Sequence, residues 1–378
     1  MKKTLLLLLL LTISCKQETS LPTENSAQKD LSLKYAKGFT ISEVNGHKLI
    51  SVNQPWANAE ITFRYLIVNS DNAQSVDENS EAYDAVISSP TRQIVVTSTT
   101  HIPALEMLGI ADQLVGFPGS DYISSEYTRN RIDQGKVKEL GVNEGINTEV
   151  LLEISPDLII SFGVDGTNKS METIRRAGIP VIYNGDWVED SPLAKAEWIK
   201  FFGAIFNKER LADSLFNDIE KNYLEAKEIA SKVDKKPTIM SGALHKDVWY
   251  LPSGSSPEAQ FLKDANVDYL WEDTEGQGSL SLSFETVFEK AQNADIWLSP
   301  SYYRSLEDLE AANSHYVEFK PFIEKKVFSF SNTVGKQGGV LYYELGVSRP
   351  DLVLKDIIKI CHPELLTSYE PFFFKVLD

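Results

Sequence analysis

Cysteine is almost absent from this chain: two in 378 residues, Cys15 and Cys361. Cys15 falls in the N-terminal leader considered below, which leaves Cys361 as the one thiol of the folded part. No internal disulfide is then available, and a large apolar core has to hold the fold. Cys361 stands among Ile357, Ile358 and Ile360 and is expected to be buried and inert. Positive charge is scarce too. Against 54 acidic residues there are 37 basic ones, a formal charge of −17, and such a surface repels phosphate backbones, which excludes nucleic acid as a partner. Catalytic signatures are missing: there is no Gly-x-Ser-x-Gly elbow, no Walker A loop and no His-Glu-x-x-His, and Gly276-x-Gly278 lacks the third glycine of a dinucleotide fingerprint. The five histidines, His47, His101, His245, His315 and His362, are scattered at no metal-ligand spacing, so neither a metal site nor a cofactor of the protein's own is expected.

Long apolar runs are lacking as well, with one short exception at the N-terminus. Met1-Lys2-Lys3-Thr4 precedes leucines from Leu5 to Leu11 and then Thr12-Ile13-Ser14-Cys15. A basic start, a short apolar stretch and a small residue before the cut describe a signal peptide over residues 1–15, too short to span a bilayer. Leu11 to Cys15 resembles a bacterial lipobox, with Thr12 where leucine is usual, so Cys15 is expected to be acylated and to anchor an exported lipoprotein in the cell envelope. Residues 16–31, rich in Ser, Thr, Glu, Gln and Asn, read as a flexible tether.

Hydrophobic residues at 42% and aromatics at 10% describe a globular protein, and the length exceeds one typical core. Between Lys208 and Lys232 the apolar residues Leu211, Leu215, Ile219, Tyr223, Ala226 and Ile229, continued by Val233, recur every three or four positions, the stripe of one long amphipathic helix. Asn207 ends the helix before it, and Pro237 cannot extend it. Before it, alternating runs over 39–68, with a turn at Asn45-Gly46, predict a small β appendage. From Arg92 short apolar strands alternate with helices, and after Pro237 that pattern resumes. The fold class is therefore α/β: an N-terminal lobe over 32–206 that includes the appendage, a linking helix over 207–236 acting as a strut, and a C-terminal lobe over 237–378.

In such sheets ligands bind beyond the carboxyl ends of the strands. Thr97 to His101 is a hydroxyl-rich loop feeding a helix, and His101 and His245 both follow predicted strands. Asp121-Tyr122, Phe162-Gly163-Val164, Asp186-Trp187, Trp249, Trp271, Tyr302-Tyr303-Arg304 and Asn332-Thr333 follow other strands, so aromatic residues recur at these exits and predict an aromatic-lined cleft between the lobes.

Four segments in order, Arg92–Gly116, Ile146–Phe162, Arg176–Trp187 and Ser281–Leu298, resemble the ABC-transporter substrate-binding proteins for ferric siderophores and cobalamin. The resemblance covers most of 92–366 and implies two α/β lobes joined by one rigid helix, with ligand between them and little hinge closure. It places ligand-binding residues at Thr99, Thr100, His101, Tyr122, Gly163, Val164 and Trp187 in the first lobe. In the second they are Trp249, Trp271, Tyr302, Tyr303, Arg304, Asn332 and Thr333. It also implies one acidic residue per lobe that docks on basic residues of an ABC permease, for which Glu172 and Glu307 are the nearest matches. The expected cargo is an iron–siderophore chelate carried by a monomer, with the metal inside its chelator. Cobalamin is the alternative, and haem a third possibility through His101, His245 and Tyr302. Sparse positive charge, with Arg304 alone at a loop exit, favours a neutral hydroxamate or cobalamin over an anionic chelate. The competing classes are an exported α/β enzyme and a structural lipoprotein without a small ligand.

Overall fold

The computed structural model describes residues 32–69, 82–166 and 168–378. The leader with Cys15, the tether and most of the 69–81 loop lie outside the described residues. Among those described, no helix is long and apolar enough to cross a membrane.

The appendage is a four-stranded sheet of Phe39–Val44, His47–Val52, Phe63–Asn69 and Ala85–Ser89, in that order. Asn45 and Gly46 both take positive φ, 53° and 77°, the hairpin geometry that twists with its strands. The last strand, unforeseen in the sequence, runs parallel to the third. This sheet is no separate body. Phe39 packs on Trp198 with centroids 4.3 Å apart, and the Tyr65 hydroxyl accepts a hydrogen bond from the Tyr183 N–H at 3.0 Å, so the appendage walls the first lobe's core.

The first lobe holds a five-stranded parallel sheet in the order Val181–Tyr183, Leu158–Ser161, Ile94–Val96, Leu114–Phe117, Lys138–Glu139. Its central strands are buried on both faces, which is why they read as unbroken apolar runs. Counted along the chain the order is 5-4-1-2-3, so the topology reverses between Ile94–Val96 and Leu158–Ser161, where a crevice opens beyond the carboxyl ends. The second lobe's sheet runs Asp268–Tyr269, Thr238–Ser241, Ile296–Leu298, Val327–Ser329, with Lys375–Val376 added antiparallel at the edge. Its order, 2-1-3-4-5, reverses between Thr238–Ser241 and Ile296–Leu298. Val248–Pro252 forms a separate antiparallel sheet with Ala243–His245 and Ser279–Leu282.

The linking helix spans Glu209–Ala230, 22 residues, about 33 Å at 1.5 Å per residue. It stops short of the expected residue 236. The helix before it breaks at Trp198 into Pro192–Glu197 and Ile199–Ile205, and Asn207 takes a left-handed φ of 54° before the linking helix begins. The buried stripe is turned by one residue at the N-terminal end: Ala212 and Phe216 are buried while Leu211 is 40% exposed. Gly203 accounts for this, because a Cβ there would lie 2.6 Å from that of Ala212, so the two helices touch on the Ala212 side. Phe216 enters the first core, whereas Tyr223, Ala226 and Ala230 enter the second. One continuous helix is thus clamped in both lobes. Pro350–Cys361 packs along it, and burial pushes the Cys361 thiol up.

Candidate functional site: a cleft between the lobes

The first wall forms where the parallel sheet reverses. Thr97 leaves Ile94–Val96, and its Oγ1 accepts a hydrogen bond from the Phe162 N–H at 3.3 Å, tying together the two strand exits that flank the switch. Ser98 and Thr100 hydroxyls are 2.9 Å apart and hold the next turn. After Leu114–Phe117 the chain turns at Gly119, φ 71°, with the N–H groups of Gly119 and Ser120 donating to Glu139 at 2.8 Å each. Burial alone would raise the Glu139 carboxyl, but donors from Ser120, Gly119 and Gly141 hold it below its ordinary value. This anchored loop presents Tyr122, 73% exposed, to the cleft.

The second wall rises from Ile296–Leu298. Ser299 and Ser301 both take left-handed φ, 57° and 58°, which turns Tyr302 outward to 66% exposure. The loop is pinned from behind: Ser331 Oγ donates to the Ser301 and Tyr303 carbonyls at 3.1 Å, and Asn332 Nδ2 to the Arg304 carbonyl at 2.7 Å. The Arg304 guanidinium enters no ion pair among the described residues. Tyr343 completes this wall, its ring 6.1 Å from that of Tyr302. Together the walls enclose a cleft of about 650 Å³, with Phe117, Tyr122, Phe162, Tyr302 and Tyr343 as its rings and Arg304 and Glu144 as its charges. Tyr343 also borders two adjoining cavities, of about 530 and 300 Å³. Among the described residues, no group of three His, Cys, Asp or Glu is arranged to hold a metal ion.

Of the residues expected at the site, Thr99, Tyr122, Tyr302 and Arg304 come together in this cleft, while Thr100 borders the 300 Å³ cavity. Others do not reach it. His101 is wholly buried beside Phe202, and burial lowers its ring to about 3, keeping it neutral. Trp249 is also wholly buried, near-parallel to Trp297 at 5.6 Å, and its indole N–H donates to the Ser241 carbonyl. Trp271 is buried under Lys290. Trp249 thus satisfies a strand-end carbonyl, whereas neither ring nitrogen of His101 has a hydrogen-bond partner among the described residues. Gly163 and Trp187 form a cluster of their own, with the indole N–H donating to the Gly163 carbonyl at 3.0 Å, and Trp56 of the appendage closes over Gly163. Val164 is exposed outside the cavity. Tyr303 packs into the second core, and Asn332 and Thr333 brace loops, Thr333 Oγ1 donating to the Phe373 carbonyl. Glu172 and Glu307 stand in the first turns of Lys169–Arg176 and Leu306–Ala312, one on each lobe. Phe162 was read at a strand exit but not among the ligand-binding residues, and Phe117 and Tyr343 were not anticipated. Phe117 ends the strand Leu114–Phe117, a signal as strong as any used, whereas Tyr343 sits in the short helix Leu341–Leu345.

At one end of the cleft the lobes are clasped. Glu344, on Leu341–Leu345, accepts hydrogen bonds from the N–H groups of Ser124 and Ser125, at the start of Glu126–Asp133 in the first lobe. Ser124 Oγ donates to the Gly339 carbonyl at 2.9 Å, and Lys336 pairs with Asp133 at 2.9 Å. Backbones approach closely here, since a Cβ on Gly339 would fall 2.1 Å from the Tyr122 carbonyl oxygen. Burial raises the Glu344 carboxyl to about 7 against the pull of its two donors, and Glu106 beside it acts in the same direction as burial.

Residues 94–311 match the sequence pattern of the family described as periplasmic binding protein, well over half of the chain. The chain belongs to that family. An uncharacterized lipoprotein of Methanocaldococcus jannaschii is 28% identical over 299 residues, 76% of this chain and 69% of the relative. Among solved structures, a possible iron-binding periplasmic solute-binding protein of Staphylococcus epidermidis aligns with TM-score 0.57 at 18% identity, covering 71% of this chain and 98% of that one. An ABC-type Fe3+-hydroxamate transport protein of Saccharomonospora viridis aligns with TM-score 0.52 at 15% identity, covering 72% and 93%. At such identities the structures attest the shared two-lobed fold. They agree with the expectation of two α/β lobes joined by a helix.

Proposed function

We propose that this protein is the lipid-anchored substrate-binding component of an ABC importer, and that it carries an iron–siderophore chelate of low charge in the cleft between its lobes. The observation that carries this reading is the cleft itself: about 650 Å³, aromatic on both walls, with the hydroxyl-rich Thr97–Thr99 loop on one side and on the other Arg304, the one cation lining it among the described residues. Rings bury the organic shell of a chelate at low entropic cost, and hydroxyl and backbone N–H groups meet its carbonyl oxygens. One arginine opposed by Glu144 leaves the cleft near neutrality, which suits a neutral hydroxamate better than a highly anionic catecholate. The metal is cargo, held by the chelator's oxygens. Relatives of the fold described as iron-binding and as hydroxamate transport proteins support the same class of ligand. Haem is less favoured because His101, one of its expected ligands, is enclosed in the core. Glu172 and Glu307, one on each lobe, are read as the acids that dock on the permease.

Protein purified from its native host tests the cargo directly, since ferric hydroxamates, catecholates, corrinoids and haem have distinct visible spectra. A broad band of ferric hydroxamate type is expected; a Soret band or a corrinoid spectrum would replace this reading with another.

A further inference from the structure

Behind Tyr302 and Tyr343 lies the cavity of about 530 Å³, and it lies inside the second lobe alone. An apolar concavity of this size, walled by aromatic rings, has the form of a small-molecule site. Its position is that of a binding site in its own right. The second sheet reverses between Thr238–Ser241 and Ile296–Leu298, and Gly242 and Ser299, the residues that follow those strands, line the cavity, their backbones joined by a hydrogen bond of 3.2 Å. Ligands of open α/β sheets gather at such reversals. The walls are preset: Phe330 stacks on Tyr342 at 4.3 Å and 8°, and Phe374 and Tyr343 meet Phe330 edge-on. Among the described residues no lysine or arginine lines it, and the titratable groups facing it besides tyrosines are Glu258 and His245. Burial raises the hydroxyls of Tyr342 and Tyr343, so both stay uncharged.

We propose that this chamber is a second subsite, which receives an uncharged aromatic or aliphatic arm of the ligand whose chelate centre occupies the cleft, with Tyr302 and Tyr343 as the partition between the two. The tyrosines border both spaces, their ring centroids 6.1 Å apart, so an arm that leaves the cleft over them enters the chamber. An anionic arm is rejected, because the chamber offers it Glu258 and no cation among the described residues, and its rings would strip the anion's water. The proposal rests on the cleft being the site of the chelate. It adds that selection among chelates with the same metal-binding centre is made by their side arms.

The test uses Ser279, which lines the chamber but not the cleft and is exposed on an outer strand, so that Ser279→Trp plugs the chamber without disturbing a core. Ser279→Leu is a smaller plug for use if the tryptophan variant folds poorly. Two neutral ferric trihydroxamates are titrated, one plain and one carrying a single benzyl arm, and 1-aminoanthracene serves as a probe that needs no metal. Wild-type protein is expected to bind the benzyl chelate at least tenfold more tightly than the plain one. The plug erases that preference, leaves the plain chelate within about twofold and abolishes saturable binding of 1-aminoanthracene. Equal affinity for the two chelates in the wild type, or a preference that survives the plug, overturns the proposal. If neither chelate binds while 1-aminoanthracene binds and is lost on plugging, the chamber is upheld as an apolar site and the ferric-chelate reading of the cleft falls. If the probe does not bind either, both fall.

Discussion

Glu344→Gln removes the charge from the carboxylate that joins the lobes across the end of the cleft, and its effect is computable from the surroundings of that group. Folding moves the Glu344 carboxyl from 4.5 to about 7, chiefly by burial. At about 1.4 kcal/mol for each tenfold change in proton affinity, this couples about 3 kcal/mol of stability to its protonation. The folded form holds the proton more tightly than the unfolded chain, so the contribution is fully present below about pH 4.5 and is lost as pH rises through about 7. Glutamine cannot titrate. It also offers one oxygen where the carboxylate offers two to the Ser124 and Ser125 N–H groups, a pH-independent cost of about 1 kcal/mol. Urea unfolding of both proteins, followed by tryptophan fluorescence from pH 5 to 8, isolates this contribution, because titrating groups uncoupled from Glu344, such as Asp186, which burial raises to about 6, cancel in the difference. The variant should be the less stable protein at pH 5 and should gain on the wild type by about 2–3 kcal/mol by pH 8. A difference that stays constant with pH would refute the assignment of the raised carboxyl to Glu344.

Gly203→Val should cost about 1–3 kcal/mol, read as a lower melting temperature, because the added Cβ meets Ala212 at 2.6 Å and forces the linking helix away from Ile199–Ile205. Since that helix is anchored in both cores, ligand should produce only a small rocking of the lobes; scattering curves with and without a ferric chelate should nearly superimpose, and a large fall in radius of gyration would contradict it. Cys15→Ser should release the protein from the membrane fraction, with the lipid-modified N-terminal peptide lost from the mass spectrum of the variant.

The two-lobed fold was legible because its signals are local and repeated. Apolar runs such as Ile94-Val95-Val96 and Leu158-Ile159-Ile160 mark strands buried on both faces, and the periodic stripe through Ile219, Tyr223 and Ala226 marks the strut that joins them. What failed was direction. A residue just past a strand lies near the cleft, but nothing local says whether its side chain turns outward as Tyr302 does or inward as Trp249 does. The left-handed turn at Ser299 and Ser301 decides it for Tyr302, and such turns at non-glycine residues leave little trace in the sequence. The antiparallel sheet around Val248–Pro252 is not legible for a related reason, since a short apolar run does not reveal its partner strand. Tyr343 was missed because it reaches the cleft from a helix whose position depends on the clasp between Glu344 and the first lobe.

The most direct test of the central claim is a fluorescence titration of the protein with a neutral ferric trihydroxamate, set beside Tyr122→Ala, Tyr302→Ala and Trp187→Ala. Loss of one aromatic wall should weaken binding by about 1–3 kcal/mol, roughly five- to 150-fold. Trp187→Ala, whose indole braces Gly163 away from the cavity, should keep its affinity. Saturable 1:1 binding lost in the two tyrosine variants and retained in the tryptophan variant is the predicted result; binding unaffected by Tyr122→Ala and Tyr302→Ala, or no binding of any ferric chelate, would contradict it.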